Sequence, residues 1–155
     1  MTNLGDAFPK GFMKAFAANR ALKVSDVIYL HCDFTTPQKY KYMVVCCCEP
    51  LLVLLINSEI SPYINTRPDL LACQVDILQG DHDFLEYDSF VNCIEAHQAF
   101  ELETIKAKIE VNYQRIIKGS VIDYCMREVY QAVARSKPMK RSHKRLILEA
   151  LSEYQ

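Results

Sequence analysis

The feature that most constrains the fold is an apolar run over residues 43–56 that is interrupted once, by Glu49-Pro50. A helix that spans a membrane needs about 20 predominantly apolar residues, and a Glu-Pro pair at its middle would be costly in lipid. The two halves are short and rich in β-branched and aliphatic residues, which is typical of strands, and proline suits the second position of a tight turn. We therefore predict no membrane span but a hairpin of two strands, Tyr42–Cys48 and Leu51–Asn57, apolar on both faces and buried on both sides.

Three consecutive cysteines lie inside this run. On a strand, Cys46 and Cys48 point to one face and Cys47 to the other, so the three cannot easily ligate one ion. The chain has no Cys-x-x-Cys pair, and no zinc-type spacing joins its histidines, which are His31, His82, His97 and His143. We predict that the cysteines are buried core residues and that the protein binds no metal and uses no cofactor.

Charge and the amino-terminal sequence narrow the function classes. The formal net charge is −1, which does not by itself indicate nucleic acid or an anionic membrane as a partner. The opening stretch MTNLGDAFPKGFMKAF has charges and no continuous apolar segment, so it does not resemble a secretory signal. We expect a cytoplasmic protein whose seven cysteines are reduced thiols.

The remaining pattern predicts one α+β domain over residues 1–155. Three further strands are predicted at Val24–Cys32, Leu71–Leu78 and Ser89–Ile94, so that residues 24–95 form a small barrel of about five strands. Residues 101–155 are predicted to be helical: one apolar stripe ends at Gly119, Ser120 caps a second helix, and a third begins near Ser142. Residues 8–23 can form a further short helix. A basic run between Arg135 and Arg145 is either a solvated helix face or a phosphate-binding patch, and we expect the last helix to dock on the protein's own body.

Three stretches resemble the MazF/PemK family of toxin endoribonucleases. SDVIYLHCDF is similar to the opening strand of that family, and KYKYMVVCC with LLVLLIN is similar to its paired central strands. CQVDI followed by DFLEYDSFVNCIEAHQAFELETI is similar to a strand, a segment that ends in Asp-Ser, a second strand and a crossover into a helix. The resemblance covers roughly residues 24–135. It implies an SH3-like barrel, a homodimer, an antitoxin or other protein partner, and metal-independent cleavage of single-stranded RNA.

The resemblance also implies site residues. The family has an Arg at the start of its second strand and a Thr at the end of its third, and these positions correspond here to Lys41 and to Asn57 or Ser58. Lys41 can supply positive charge and a proton to a reacting phosphate, and the hairpin should bring it close to Asn57.

The residues around Lys41 suggest how RNA would bind. Lys39, Tyr40 and Tyr42 alternate with Lys41 in a pattern that suits base stacking beside phosphate contacts, although a half-buried strand gives the same pattern. Arg67 is either a loop residue or a phosphate contact. Asp88-Ser89 is interpreted as a turn at the start of a strand, and His82-Asp83 as an exposed turn.

Three functions remain open from the sequence. The protein is a metal-independent endoribonuclease of the toxin type, or a catalytically degenerate barrel that serves as a protein-interaction module in a toxin–antitoxin or phage-defence system, or a protein that binds RNA without cutting it. Products that end in a 2′,3′-cyclic phosphate would separate the first from the others.

Overall fold

The structure, a computed structural model, describes residues 22–155 and is α+β, as predicted. Within these residues six strands form one antiparallel sheet that is curled into a half-barrel. The strands are β1 (Asp26–Cys32), β2 (Lys39–Cys47), β3 (Leu52–Asn57), β4 (Gln74–Ile77), β5 (Ser89–Asn92) and β6 (Ile117–Ser120). Their order across the sheet is β4-β5-β3-β2-β1-β6, so β2 and β3 lie at its centre.

Six α-helices connect or follow these strands within the described part of the chain. They are α1 (Pro62–Asn65), α2 (Pro68–Leu71), α3 (Leu102–Val111), α4 (Tyr113–Ile116), α5 (Asp123–Arg135) and α6 (Arg141–Ala150), with short 3-10 turns at Gln79–Asp81 and Ser152–Tyr154. None of the helices in residues 22–155 is long and apolar enough to cross a membrane. The helix predicted for residues 8–23 lies outside the described residues except for its last two positions.

The sheet is buried on both faces, as predicted for the central hairpin. One face carries a first core with α5 and α6, which includes Val44, Leu54 and Val129. The other face carries a second core with α3, which includes Met43, Val53 and Ile105. Burial of this kind stabilises a fold by about 25 cal/mol for each Å² of apolar surface removed from water. Two buried faces explain why β2 and β3 show no alternation of apolar and polar residues.

A β-bulge corrects the predicted directions of the three cysteines. Val45 pairs with Val53, but Cys47 pairs with Leu52, so Cys46 is an extra residue in β2. The bulge breaks the alternation of side chains, and Cys46 and Cys47 therefore both lie in the first core. Cys48 packs against the second core. The prediction that Cys46 and Cys48 share one face is wrong, whereas the prediction that the triplet is core is confirmed.

The sixth strand corrects the prediction that residues 101–155 are helical throughout. The apolar stripe that was assigned to one helix is divided at Asn112, and β6 then pairs with β1. Ser120 ends this strand and does not cap a helix, because α5 begins at Asp123 with Ile122 in the capping position. The side chains of Ile116 and Ile117 are both buried in the second core, which continues a helix-like apolar pattern into an extended segment.

The loop over residues 78–88 joins the two ends of the sheet. It leaves β4, which is one edge strand, and its Phe84 ring covers Gly119 of β6, which is the other. His82 is buried in this loop with 3 % of its surface exposed, so the interpretation of His82-Asp83 as an exposed turn is wrong for His82. Its Nδ1 lies 2.8 Å from the carbonyl oxygen of Leu78, and its Nε2 accepts a hydrogen bond from the backbone N–H of Ile122 at 3.1 Å.

Other boundaries differ by a few residues. The predicted strand at Leu71–Leu78 begins later, because Pro68 starts a helical turn that lasts to Leu71. Ser89 begins β5, and its hydroxyl donates to the carbonyl oxygen of Tyr87 at 2.9 Å, as expected for a turn at a strand start. The last helix docks on the protein's own body, as predicted: Ile147 and Leu151 are fully buried in the first core.

Candidate functional site

The predicted site residues lie at the end of the sheet where β2 begins and β3 ends. The amine of Lys41 donates a hydrogen bond to Oδ1 of Asn57. The prediction that the hairpin brings these two residues together is therefore confirmed, and it follows from counting outward from the Glu49-Pro50 turn along antiparallel strands. Their catalytic role stays a prediction.

The surroundings of Lys41 depress its basicity. The side chain is partly buried, and burial, followed by the neighbouring charge of Lys39, lowers the pKa of Lys41 below its ordinary value of 10.5. The nearby Cys32 opposes this effect slightly. No carboxylate in residues 22–155 lies within ion-pair distance of the amine. The proton of Lys41 is thus easier to remove than that of an ordinary lysine.

An open cleft of about 310 Å³ lies at this end of the sheet. Its lining comprises Tyr29, Lys39, Tyr40, Lys41, Tyr42, Ile56, Ser58, Leu85, Glu86, Tyr87 and Ser89. Five of the predicted site residues therefore line one cleft, and the sixth member of the cluster, Asn57, contacts it through Lys41. This volume is at the lower end of the range for small-molecule sites, about 300–1,000 Å³, and is large enough for one nucleotide base.

Three tyrosines form a continuous aromatic surface in the cleft. The ring centroid of Tyr29 lies 5.4 Å from that of Tyr40 and 4.8 Å from that of Tyr42. Tyr40 is 49 % exposed, so its ring is open to a ligand. Burial, the proximity of Tyr29 and the charge of Glu86 raise the pKa of Tyr42, so its hydroxyl stays protonated and can donate.

The lysine and the tyrosines approach the cleft from different sides. Along β2, alternation places Tyr42 with the first core and Lys41 on the opposite face, beside Met43 of the second core. The register agrees, because Tyr29 is opposite Tyr42 and Leu30 is opposite Lys41. The two groups therefore meet where the strands end, and a ligand that contacts both must cross the end of the sheet.

Arg67 does not belong to this cluster. Its guanidinium lies 3.6 Å from the ring centroid of Tyr63 and donates to the carbonyl oxygen of Tyr63 at 2.8 Å and to Oγ1 of Thr66 at 3.3 Å. These contacts hold the turn between α1 and α2. The structure thus favours the loop interpretation of Arg67, and it does not bring this residue to the cleft.

The cleft also contains residues that were not predicted as site residues from the sequence, among them Tyr29 and Glu86. Tyr29 lies on β1 directly opposite Tyr42, and a correct β1–β2 register would have placed it there. Glu86 is an exposed residue of the loop before β5, where no periodicity predicts a position, and it lines the cleft. A carboxylate in the lining gives the cleft a proton acceptor in addition to its lysines.

No group of three or more His, Cys, Asp or Glu side chains within residues 22–155 is arranged to hold a metal ion. No family model matches the sequence, and no curated protein matches it. The resemblance to the MazF/PemK family therefore rests on the quoted sequence motifs.

Proposed function

We propose that the protein is a metal-independent endoribonuclease of the MazF/PemK toxin type that acts on single-stranded RNA, with its half-barrel as a divergent SH3-like barrel. The observation that carries this proposal is the Lys41 amine, which is partly buried, hydrogen-bonded to Asn57 and placed at the wall of a cleft with stacked tyrosines. A lysine with a lowered pKa beside aromatic rings suits a reaction at a phosphate that is flanked by bases.

The reaction is an internal transesterification. The ribose 2′-oxygen attacks the adjacent phosphorus, the bond from phosphorus to the 5′-oxygen breaks, and a 2′,3′-cyclic phosphate forms. Glu86 accepts the 2′ proton, and protonated Lys41 stabilises the negative charge on phosphorus and gives its proton to the departing 5′-oxygen. Solvent then reprotonates the Lys41 amine and removes the proton from Glu86.

The other residues of the cleft bind and orient the RNA. Asn57 holds the Lys41 amine, and Ser58, which is exposed at the end of β3, offers a hydroxyl to a phosphate oxygen. Lys39 is an exposed cation for a neighbouring phosphate, and Tyr40 and Tyr42 stack on bases. The RNA strand crosses the end of the sheet and so reaches both the lysine and the tyrosines.

The test is incubation of the purified protein with end-labelled single-stranded RNA in EDTA. We expect products that end in a 2′,3′-cyclic phosphate. Lys41→Ala and Glu86→Gln should each lower the rate by about 10²- to 10⁴-fold, the usual contribution of a proton-transfer group. The exposed Lys137→Ala is the matched control and should cleave as the wild type does.

A second candidate function is a protein-interaction module without catalysis, as a part of a toxin–antitoxin or phage-defence system. The specific observation in its favour is that the Lys41 amine is already engaged by Asn57 on the face opposite the tyrosines. Absence of cleavage of every single-stranded RNA by the partner-free protein, at a wild-type melting temperature, would favour this function over the endoribonuclease.

The proposal includes a cytoplasmic homodimer with an antitoxin-like protein partner. The support is the family resemblance together with two sheet edges, β4 and β6, whose outer backbone groups can pair with another chain. Sedimentation equilibrium at micromolar concentration tests the dimer. A mass of 17.9 kDa across the concentration range would contradict it.

A further inference from the structure

A second and larger concavity adjoins the cleft. It is an open groove of about 1050 Å³ between β1 and the α3–α4 segment. Tyr29 and Tyr40 line both the groove and the cleft. The two concavities therefore share these rings as a common wall and lie next to each other on the surface.

The groove is basic. Lys108, Arg115 and Lys118 line it, and the acidic side chain in its lining is Glu103, whose carboxylate lies 3.7 Å from the amine of Lys106. Lys108 and Arg115 are exposed, so their charges are available to a ligand. This excess of positive charge contrasts with the formal net charge of −1 for the whole chain, and it indicates an anionic ligand.

The strand side of the groove carries one cation, Lys118, and the two tyrosine rings. The amine of Lys118 lies 5.8 Å from the ring centroid of Tyr29, and His31 meets the ring of Tyr40 edge-on at 5.4 Å. Proteins usually bind single-stranded nucleic acids in a groove of this kind, in which cations contact the backbone and bases stack on aromatic rings. An acidic peptide would use the cations but would leave the exposed ring of Tyr40 without a planar partner.

We propose that this groove binds the single-stranded RNA that continues beyond the cleft. Longer RNA then gains contacts with Tyr40 and Tyr29 and with the basic side chains of Lys108, Arg115 and Lys118. The inference rests on the proposed function, since it assigns the groove to the same RNA. The bases must be unpaired to stack on the tyrosines, so a duplex is excluded as the occupant. The groove thereby adds affinity at nucleotides that take no part in the chemistry.

The experiment measures binding separately from cleavage. Oligouridylates with 2′-O-methyl groups cannot undergo the transesterification, so the wild-type protein can be titrated with a series that begins at the dinucleotide and lengthens one nucleotide at a time. We expect affinity to increase by about fivefold or more for each added base that stacks, until the groove is filled.

Variants that lack basic charges test whether the increase in affinity with length comes from the groove. Lys108→Gln/Arg115→Gln should bind the dinucleotide as the wild type does but lose most of the gain from longer oligomers. The slope of log Kd against log salt should also fall by about 0.7 for each phosphate contact that is removed. Arg127→Gln/Lys137→Gln, which removes two exposed charges outside the groove, is the control and should keep the full gain. Lys118→Gln gives a second, independent variant, and matching melting temperatures show that each variant is folded.

The outcomes separate this inference from the proposed function. If the protein cleaves RNA but binds short and long oligomers with equal affinity, RNA binding by the groove is contradicted and the endoribonuclease function is retained. If affinity depends on length through the groove but unmodified RNA is not cleaved, RNA binding by the groove is supported and the endoribonuclease function is contradicted. If oligomers with abasic units at the added positions bind as tightly as intact ones, the groove attracts RNA by charge alone and the proposed base stacking is wrong. Failure to bind any oligomer would also contradict the proposal.

Discussion

Nε2 of His82 accepts a hydrogen bond from the backbone N–H of Ile122 at 3.1 Å, and this contact ties the loop after β4 to the start of α5. On the other side of the ring, Nδ1 donates to the carbonyl oxygen of Leu78 at 2.8 Å. One imidazole therefore satisfies a donor on Ile122 and an acceptor on Leu78, which lie 44 positions apart in the chain. Because β4 and β6 are the two edges of the sheet, the ring helps to hold the half-barrel in its curled form.

We predict that His82→Leu lowers the free energy of unfolding by about 1–3 kcal/mol, because it leaves the N–H of Ile122 and the carbonyl of Leu78 without their partner. The measurement is urea denaturation at neutral pH. His31→Leu is the control: His31 is exposed, and its loss should change stability by less than about 0.5 kcal/mol. Equal midpoints for the two variants would show that the imidazole does not hold the loop.

A methyl group at Gly119 should be poorly tolerated. A Cβ at this position would lie 2.8 Å from the Phe84 ring, and the φ of +156° is one that L-residues rarely adopt. Gly119→Ala should therefore destabilise the protein by about 1–3 kcal/mol through overpacking. Gly80→Ala is the matched control, since nothing lies within 4 Å of its added methyl. Melting temperatures that fall equally in both variants would contradict a specific contact with Phe84.

The three consecutive cysteines should be unreactive in the native protein. Burial raises the pKa of each thiol above its ordinary value of 9.0, so the thiolate that alkylating reagents attack is scarce at neutral pH. We expect Cys46 and Cys47 to be labelled at the rate of unfolding and Cys48, which is partly exposed, to be labelled first. Mass spectrometry after timed alkylation measures this. Rapid modification of all three, or stoichiometric zinc on freshly purified protein, would contradict the core assignment.

The last helix should contribute to the core and not act as a free arm. Ile147 is fully buried in the first core, so Ile147→Ala should cost about 2–5 kcal/mol, the usual range for deleting a buried aliphatic side chain. Arg145→Ala on the exposed face of the same helix is the control. Removal of residues 139–155 should lower the melting temperature. A truncated protein that melts with the full-length one would show that α6 adds nothing to the fold.

The partly buried amine of Lys41 should make stability depend on pH in the alkaline range. Its pKa is lowered in the folded protein, so between that value and 10.5 the unfolded chain holds more protons than the folded one, and stability rises with pH across this window. Lys41→Met should reduce the rise, whereas Lys137→Met, at an exposed position whose charge does not act on Lys41, should leave it unchanged. Urea midpoints on a pH series measure both slopes. A wild-type midpoint that falls with pH in this window relative to Lys41→Met would contradict the lowered pKa.

The sequence predicts local features of this fold better than features that depend on how distant strands pair in the sheet. The hairpin and the approach of Lys41 to Asn57 follow from one turn and from antiparallel counting, which are both local. The direction of Cys47 could not be predicted, because a bulge changes it without any change in hydrophobicity. The strand β6 was missed because its buried isoleucines prolong a helical apolar pattern, and its pairing with β1 joins residues about ninety positions apart.

The burial of β2 on both faces has a consequence for how the two central strands align. Every residue from Met43 to Cys47 is buried, so sliding β2 by one position against β3 would exchange one apolar side chain for another at little cost in hydrophobicity. The apolar pattern therefore cannot select the register. The hydrogen bond between Lys41 and Asn57 can, since a slip would part the amine from its acceptor and leave both polar groups partly buried. The pair that we propose to act at a phosphate thus also selects one of several strand alignments that bury similar apolar surface.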